Sequence, residues 1–459
     1  MKKLVFTVIA GCIIEMLCCA ITSLGDIEED IPTFGALYIV SFVAYLVVIF
    51  FILNNGEILR NNHLYRKKNT FGNLIQSTTD SRNILWCIVI FSLLFRFTLL
   101  PVTPSDDMYR YLWEGKIQSH GVNPYSVPPN SPDLIHLRDT MYAGINHKHL
   151  TTIYPPFALM MFAIASFISH TFLSMKLTFL FFDLLTLFLL IRLLQVKGYG
   201  PVHVVIYAWN PLVLLSFAGH GHCDSLQIFF LVLAFYLYTV RKDVTFTFAL
   251  GLAILSKFVS LVFAPFFLLK NKPKYIFILL LVLCIFYLPY ANTGTGLWST
   301  LFHFGAQYHY NDSLHFLIFC LSLGSPVISK ILILGLFCSI LMYIYTKYYR
   351  EQTKGVDVMR YAFWVIGVFL AMAPTVHPWY LTWIVPFLCF YQSKAWLILT
   401  GTVVCYYFMN HHLFSTLIEW QNEWVWKEVH WLKLPEYIPF YVLLLYEFIN
   451  KNLKKYSSA

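Results

Sequence analysis

The sequence predicts an all-α polytopic membrane protein with about 12 to 14 transmembrane helices. Of its 459 residues, 58% are hydrophobic and only 12% are charged, whereas a soluble globular chain carries about 25% charged residues. So few charges cannot coat a water-soluble surface, which excludes a soluble enzyme, a nucleic-acid-binding protein and a disordered chain. No polar stretch is long enough to form a separate soluble domain, so we expect a single integral membrane domain over residues 1–459.

Apolar segments of spanning length recur along the whole chain. They lie near 3–22, 34–54, 84–103, 154–169, 176–195, 204–219, 225–240, 245–269, 275–290, 328–347, 361–375, 379–392, 395–413 and 437–450. The first segment carries Glu15 and lacks a small-residue cleavage site, so it is predicted to be a membrane helix rather than a signal peptide. An acid inside a membrane helix needs a partner, and we expect Glu15 to form a hydrogen bond at a helix interface.

The net charge of +9 reports on topology, because Lys and Arg accumulate on cytoplasmic loops. Basic residues place both termini inside, together with the loops 55–83 and 347–360. The segments left on the outer side are 104–153, 291–326, 374–379 and 414–436. The first of these is long, and we expect short helices within it close to the membrane.

The middle of the chain allows two arrangements. Strict alternation gives 14 spans but leaves Arg241 and Lys242 outside. If 154–169 and 245–269 are re-entrant or broken, 12 spans remain and these bases lie inside. The second arrangement fits the positive-inside rule better, and it places the segment 220–224 on the outer side.

Two adjacent acids open the first outer loop. Ser105 or Asp106 can cap a helix that begins here. Spaced at i, i+3, i+4 and i+7, four polar residues then share one helix face: Asp107, Arg110, Tyr111 and Glu114. An acid beside a cation and a phenol suits recognition of a sugar or a phosphate, and an ionised Asp can act as a general base toward a hydroxyl. The alternative is a solvated surface helix with a local ion pair.

A second polar cluster follows a predicted helix break at Pro211. His220 and Asp224 are four residues apart and can share a face, with His222 between them. Two imidazoles and a carboxylate can suggest a metal site, but no further ligand is visible nearby. Polar contacts to a sugar or to the helix of the first outer loop are the preferred interpretation.

Lys257 lies near the centre of an apolar segment, where a lysine is costly unless it is paired or faces water. Two alternatives stay open. The ammonium group can bind a lipid phosphate as a point charge, or it can form a buried ion pair, for which Asp183 is a candidate.

Three further outer segments carry polar or aromatic groups. The first contains His303 and His309 with 310–314. In the second, Pro374 and Pro378 bracket a short outer turn that presents His377, followed by Trp379 and Tyr380. These residues are either contacts for a sugar or phosphate or a tight turn in an interfacial aromatic belt. The third, 414–436, is predicted to be an interfacial amphipathic helix and contains Trp420, Trp424, Trp426 and Trp431.

Several short motifs occur in a fixed order along the chain. They are Asp-Asp-x-Tyr-Arg-Tyr-x-Trp-Glu-Gly at 106–115, Gly-x-Asn-Pro-Tyr at 121–125, Tyr-Pro-Pro at 154–156, Asp183, Gly-His-x-Asp at 221–224, Lys257 before Ala-Pro-Phe-Phe at 264–267, and His-Pro-Trp-Tyr at 377–380. In this order they resemble the GT-C superfamily of polyprenyl-phosphate-sugar-dependent glycosyltransferases, and bacterial mannosyltransferase-like members in particular. The resemblance covers roughly 84–392.

The resemblance implies a GT-C-like bundle in three parts. These are an N-terminal helix pair with a cytoplasmic loop (1–83), a catalytic module (84–392) and C-terminal helices with the interfacial helix (393–459). It also implies an inverting enzyme that transfers a hexose, with mannose expected, from a polyprenyl-phosphate carrier to a lipid-linked or glycan acceptor. The expected location is the bacterial inner (plasma) membrane, with the active site on its outer face.

The same resemblance assigns roles to individual residues. The catalytic acid of the family maps onto Asp106 or Asp107, and Asp107 is favoured because it stands two residues before Tyr109. Lys257 and His377 become candidates for the donor phosphate. The full set expected to bind substrate is Arg110, Tyr111, Glu114, Tyr154, His220, His222, Asp224, Lys257, His377, Trp379 and Tyr380.

No cofactor is expected, although some relatives use a divalent metal and this sequence shows no clear metal site. Two other functions remain as alternatives. A lipid-linked glycan flippase or another transporter would be expected to show inverted repeats, and none is readable in the sequence. An O-antigen ligase or polymerase would be expected to rely on outer-loop Arg and His rather than on an acid.

Overall fold

Helices dominate the computed structural model of the protein, which describes residues 2–53, 79–268, 273–293, 296–420 and 423–456. This confirms the predicted all-α class. The α-helices are α1 (Lys2–Ser23), α2 (Ile31–Leu53), α3 (Thr79–Leu99), α4 (Asp107–Ser119), α5 (Pro156–Ile168), α6 (Phe172–Val196), α7 (Val205–Ala208), α8 (Pro211–Leu214), α9 (Asp224–Thr239), α10 (Asp243–Ser256), α11 (Ala264–Leu268), α12 (Pro273–Tyr287), α13 (Gly296–Gln307), α14 (Leu314–Leu321), α15 (Pro326–Glu351), α16 (Val358–Met372), α17 (Val385–Leu388), α18 (Lys394–Thr402), α19 (Cys405–Phe408) and α20 (Lys433–Tyr456). Most bases of the predicted cytoplasmic loop 55–83 lie outside the described residues.

Among the described residues, six helices are long and apolar enough to cross a membrane, and they confirm a multi-pass membrane protein. They are Lys2–Ser23, Ile31–Leu53, Asp80–Leu99, Phe172–Val196, Pro273–Thr293 and Pro326–Lys354. A further pair of helical stretches, Pro201–Ala208 and Pro211–Gly219, is bent by 60°. The predicted segments 154–169 and 245–269 contain shorter helices, since α5 has 13 residues and the second segment is interrupted at Lys257.

The helix break at Pro211 follows from backbone chemistry. Proline has no amide proton and fits the start of a helix, and the Asn210 side chain caps α8 by accepting a hydrogen bond from Leu212 N at 3.0 Å. The Ala208 carbonyl instead accepts hydrogen bonds from the side chains of Ser92 and Arg96 in α3, at 3.1 and 2.8 Å. Side chains of a neighbouring helix therefore satisfy a carbonyl group at the break, as a low-dielectric interior requires.

The chain divides into two compact units, each assembled from separate stretches. The first unit comprises Met1–Thr103, Leu190–Gly219 and Val376–Ala459, and the second comprises Pro104–Leu189 and His220–Thr375. In the first unit the Thr98 hydroxyl donates to the Glu15 carboxylate at 2.5 Å. The hydrogen bond predicted for Glu15 at a helix interface is therefore present, between α1 and α3.

The second unit is built around the first outer loop and contains the core that supports α4. Tyr111 stacks on Phe162 of α5, with ring centroids 4.5 Å apart, and meets Phe179 of α6 edge-on at 5.7 Å. Gly115 lies directly against α5, because a β-carbon there would stand 2.5 Å from the Phe162 carbonyl oxygen. This close approach lets α4 pack along α5.

The interfacial helix predicted for 414–436 is wrong. Strands β1 (Leu417–Trp420) and β2 (Glu423–Trp426) form an antiparallel hairpin in which Leu417 pairs with Trp426. Trp431 lies in a short 3-10 helix, His430–Leu432, just before α20. The two strands are rich in branched and aromatic residues, a composition that favours strands over a helix.

Candidate active site

The two adjacent acids of the outer loop lie at the N-terminus of α4, where the sequence predicts a helix start. Asp106 is the capping residue, since its Oδ1 accepts a hydrogen bond from the Asp107 backbone N–H at 2.9 Å. Its Oδ2 accepts a second hydrogen bond from the Asn146 amide at 3.0 Å. Both oxygens of Asp106 therefore hold the backbone and the loop in place.

Asp107 presents its carboxylate between two side chains. The Tyr111 hydroxyl, one helical turn further along α4, donates to Asp107 Oδ2 at 3.4 Å. On the other side, His222 Nδ1 lies 3.5 Å from the same oxygen. The His222 side chain is fully buried, whereas that of Asp107 is 20% exposed. A buried imidazole and a phenol thus orient a carboxylate that a substrate can reach.

A glycine positions the loop that carries His222. The loop is tied to the α4 N-terminus because Ser105 N donates to the His220 carbonyl at 3.2 Å. Gly221 has φ +75°, and a β-carbon there would lie 3.0 Å from the Met108 sulfur and from Lys176 Cγ. Only glycine accepts both the conformation and the contacts, so it brings His222 to Asp107.

Lys257 forms the ion pair that the sequence left open, and the partner shown is Asp224 rather than Asp183. Lys257 is an extended residue between α10 and the 3-10 helix Phe258–Phe263, and its Nζ lies 2.6 Å from Asp224 Oδ1. Asp224 is buried at the start of α9, while the Lys257 side chain is 21% exposed. The charges of Asp107, Asp224 and Lys257 all act on Cys223, so these groups share one neighbourhood.

Arg110 and Glu114 form a buried ion pair that holds the outer loop. Their side chains meet at 2.7 Å and are almost fully buried. Glu114 also accepts a hydrogen bond from the Thr152 hydroxyl at 2.8 Å, and Arg110 donates to the carbonyls of His147 and Leu150 at 3.1 and 2.7 Å. These contacts fit a positioning role, and we leave both residues out of the proposed substrate contacts.

Electrostatics distinguish the acids of the site. Surrounding protein atoms and the negative charge of Asp107 raise the pKa of Asp106 above its ordinary value, although Asp106 keeps access to solvent. Burial likewise raises the pKa of Glu114, despite the opposing charge of Arg110. Asp106 therefore binds a proton more readily than an isolated aspartate.

Tyr154 and His220 flank this cluster. The Tyr154 ring meets Tyr111 edge-on at 5.2 Å, and its carbonyl accepts a hydrogen bond from the Tyr125 hydroxyl at 2.6 Å. The His220 ring lies 5.9 Å from that of His222 and is nearly buried. Both residues therefore pack around the acid and its partners within the second unit.

His377, Trp379 and Tyr380 form an aromatic cluster of their own in the first unit. The His377 ring stacks on Trp379 at 4.5 Å and meets Tyr380 edge-on at 5.3 Å. Its Nδ1 lies 2.8 Å from the Tyr406 hydroxyl. The three rings are partly exposed, an arrangement that can pack against a sugar.

Two residues of the site were not singled out from the sequence. Lys176 of α6 is nearly buried, passes beside Gly221 and acts electrostatically on His220. The sequence could have indicated Lys176, because it lies within an apolar segment as Lys257 does. A lysine in such a segment is costly unless it is paired or faces water. Asn146 has no comparable signal, since a polar loop residue is ordinary. Across the described residues, no three His, Cys, Asp or Glu side chains come together to hold a metal ion.

Comparison with known proteins identifies the family. Residues 31–271, more than half of the chain, match the family described as "Alpha-(1->6)-mannopyranosyltransferase, N-terminal domain" (MptA_B family). No curated protein and no solved structure matches the chain. The matched range contains α4, the 220–224 loop and Lys257, and it confirms the expected likeness to mannosyltransferases. The chain therefore belongs to the alpha-(1->6)-mannopyranosyltransferase family and is a multi-pass membrane glycosyltransferase of the mannosyltransferase type.

Proposed function

We propose that this mannosyltransferase is an inverting enzyme in which Asp107 is the general base. The donor is mannose on a polyprenyl-phosphate carrier, and the acceptor is a hydroxyl group of a lipid-linked or other glycan. The reaction takes place at the outer face of the bacterial plasma membrane. The observation that carries the proposal is the partly exposed Asp107 carboxylate, held between Tyr111 and the buried His222.

The hydrogen bonds favour Asp107 over Asp106 as the base. Both oxygens of Asp106 accept hydrogen bonds from groups that belong to the fold, the Asp107 amide and the Asn146 side chain. The described partners of Asp107 are two side chains of the site, Tyr111 and the buried His222. These contacts orient the Asp107 carboxylate, and an oriented, partly exposed carboxylate can take the proton of an acceptor hydroxyl.

The proposed step is a single displacement. The acceptor hydroxyl gives its proton to Asp107 while its oxygen forms a bond to C1 of mannose. The bond between C1 and the phosphate oxygen breaks, and its electron pair leaves with the polyprenyl phosphate. One displacement inverts C1 and needs only one base, unlike the paired carboxylates of glycoside hydrolases. Phosphate is a stable leaving group, so no strong general acid is required.

A cation is expected where negative charge develops on the leaving phosphate. The phosphodiester carries one negative charge, and the departing monoester carries up to two. Lys257 is partly exposed, is held by Asp224 at 2.6 Å and shares the neighbourhood of Asp107. A preplaced ammonium group stabilises such charge more in the transition state than in the ground state, so Lys257 is the proposed phosphate contact.

The test is transfer activity of the purified protein with a panel of polyprenyl-phosphate hexoses. The wild type is expected to use the mannose carrier. Asp107→Asn should lower kcat by at least about 100-fold, the lower range of general-base catalysis, with the donor KM little changed. Asp133→Asn is the matched control, because Asp133 lies exposed in the same outer loop and should leave the rate at the wild-type level.

Asp106→Asn separates the two acids. It keeps an oxygen that can cap α4, so we expect a smaller loss of activity than in Asp107→Asn. A variant with both acids replaced by Asn that transfers mannose at the wild-type rate, while correctly inserted in the membrane, would overturn the proposal.

A further inference from the structure

We propose that His147, His149 and Tyr308 form the subsite that binds the acceptor sugar. The inference rests on the function proposed for the same site, whose acceptor is a glycan, and it assigns the residues that bind this acceptor. The three residues form one wall of the site, within the second unit. The mechanism above assigns them no role.

The subsite lies next to the catalytic carboxylates. Asn146 donates to Asp106 Oδ2 at 3.0 Å, and His147 is the next residue in the chain. The His147 ring reaches Tyr308, whose hydroxyl lies 3.1 Å from Nδ1. Because consecutive α-carbons are about 3.8 Å apart, the wall begins within one residue of the contact to Asp106. A sugar held there can present a hydroxyl group to the acid pair.

The chemistry of the wall suits a carbohydrate. Tyr308 stacks on Phe304 at 4.5 Å, and the His147 ring stands edge-on to Tyr308 at 5.2 Å. His149 lies next to His147, with ring centroids 6.3 Å apart, and is exposed. Aromatic faces pack against the C–H face of a sugar ring, while imidazole nitrogens and the phenol can exchange hydrogen bonds with its hydroxyl groups.

A buried ion pair holds the first side of the wall in a strained conformation. His147 has φ +45°, a region that a residue with a β-carbon rarely adopts. Its carbonyl is fixed by Arg110, whose charge Glu114 neutralises in the protein interior. Strained residues held by their surroundings cluster at functional sites. The interior contacts of Arg110 and Glu114 therefore position the loop that carries both histidines.

The second side of the wall, which carries Tyr308, is also held by contacts to neighbouring segments. Helix α13, which ends one residue before Tyr308, contacts the outer loop where the hydroxyl groups of Thr151 and Thr300 lie 2.5 Å apart. At its C-terminus the Lys330 ammonium group donates to the Gly305 carbonyl at 3.2 Å, a favourable place for a cation. Tyr308 is thus preorganised, and preorganised contacts cost little entropy when a ligand binds.

The test measures acceptor kinetics with a defined probe, octyl α-mannopyranosyl-(1→6)-α-mannopyranoside, at saturating polyprenyl-phosphate mannose. Tyr308→Leu and His147→Ala are each expected to raise the acceptor KM about tenfold or more, the effect of losing about 1.4 kcal/mol of binding. The donor KM should stay unchanged and kcat should change little. Tyr308→Phe keeps the aromatic face and should retain most of the acceptor affinity. His136→Ala, at an exposed histidine of the same loop, is the matched control.

The outcomes separate this inference from the function on which it rests. If Asp107→Asn is inactive while Tyr308→Leu and His147→Ala keep the wild-type acceptor KM, the subsite is wrong and the proposed function stands. A loss confined to kcat, with the acceptor KM unchanged, would show a structural role and would also overturn the subsite. If the wild type mannosylates 1-decanol as efficiently as the mannobioside, the protein gains nothing from the acceptor sugar and the subsite is wrong. Full activity of Asp107→Asn would instead refute the proposed function.

Discussion

At the scale of single residues, Lys257 has two roles that one substitution cannot separate. Its ammonium group neutralises the buried Asp224 and is also proposed to bind the donor phosphate. Removing the lysine leaves an uncompensated carboxylate in the protein interior, which typically costs about 3–5 kcal/mol of folding free energy. A loss of activity in Lys257→Met alone would therefore not reveal its cause.

Combining two substitutions separates these roles. Lys257→Met should lower the melting temperature of the purified protein, and adding Asp224→Asn should restore much of it, because the unpaired charge is then removed. If Lys257 binds phosphate, the double variant stays at least about tenfold weaker for the donor. Thermal unfolding and donor KM are measured on the same preparations, with Asp224→Asn alone as the control. Recovery of both quantities in the double variant would make Lys257 purely structural.

The residues of the site differ in how far the sequence alone predicts them. The face of α4 with Asp107, Arg110 and Tyr111 follows from helical spacing, which is local information. The contact of Asp107 with His222, by contrast, joins residues far apart in sequence. Only tertiary packing sets such a contact. Spacing likewise could not show that Arg110 is buried and donates hydrogen bonds to loop carbonyls.

At the scale of elements, Asp139 fastens the outer loop to two helices. Its carboxylate caps the 3-10 helix Thr140–Gly144. It also accepts a hydrogen bond from Lys116 of α4 at 2.7 Å and lies 3.2 Å from Nε2 of His170, in the turn between α5 and α6. Its pKa is raised by burial, but the hydrogen bond and charge of Lys116, together with His170, outweigh this and hold it below the ordinary value. The ionised carboxylate is therefore the form that stabilises the loop.

This fastening predicts a dependence of stability on pH. A carboxyl group whose pKa is lower in the folded than in the unfolded state stabilises the fold above its unfolded pKa of about 3.9. That contribution is lost as pH falls through the folded pKa. Asp139→Asn can still cap the 3-10 helix, but it should lower the melting temperature by a few degrees at pH 6. The difference from the wild type should narrow as pH falls below about 4.

Thermal unfolding between pH 3 and pH 7 checks this expectation, with Asp133→Asn as a control in the same loop. A gap between the wild type and Asp139→Asn that stays constant or widens toward pH 3 would show that the charge of Asp139 does not fasten the loop.

Element boundaries were predicted best where apolar runs are long. The predicted segments 3–22 and 34–54 correspond to α1 (Lys2–Ser23) and α2 (Ile31–Leu53), because hydropathy over a spanning length is a strong signal. The hairpin of β1 and β2 was missed because the four tryptophans were interpreted as membrane anchors. The composition of two four-residue strands is a weaker signal than the length of an apolar run.

At the scale of the whole molecule, the scarcity of acids makes the first outer loop exceptional. The chain has 23 Asp and Glu residues, and the five in 104–153 have distinct contacts. Asp106 caps α4, Glu114 neutralises Arg110, Asp139 joins the loop to α4, and Asp133 bonds with Ser131. Asp107 lies between Tyr111 and the buried His222, with its side chain 20% exposed. That division of roles supports an enzyme rather than a passive helical bundle.

The proposed reaction at the outer face requires that this loop lie outside the membrane. Basic residues mark the cytoplasmic side, because Lys347, Arg350 and Lys354 cluster at and just after the end of α15. His136 in the outer loop and Thr353 after α15 are both exposed, and they provide matched positions for labelling. The labelling background replaces the exposed cysteines by alanine, namely Cys12, Cys19, Cys284, Cys320 and Cys338.

In intact bacterial cells, a membrane-impermeant maleimide should label His136→Cys at once and Thr353→Cys only after permeabilisation. The reason is that charged segments do not cross the bilayer, so the basic end of α15 stays in the cytoplasm. Labelling of both variants after permeabilisation controls for accessibility within the fold. The reverse pattern would place Asp107 on the cytoplasmic side and would refute the assignment of the reaction to the outer face. The donor and acceptor would then have to reach the site from the cytoplasm. The proposed chemistry of Asp107 would be unaffected.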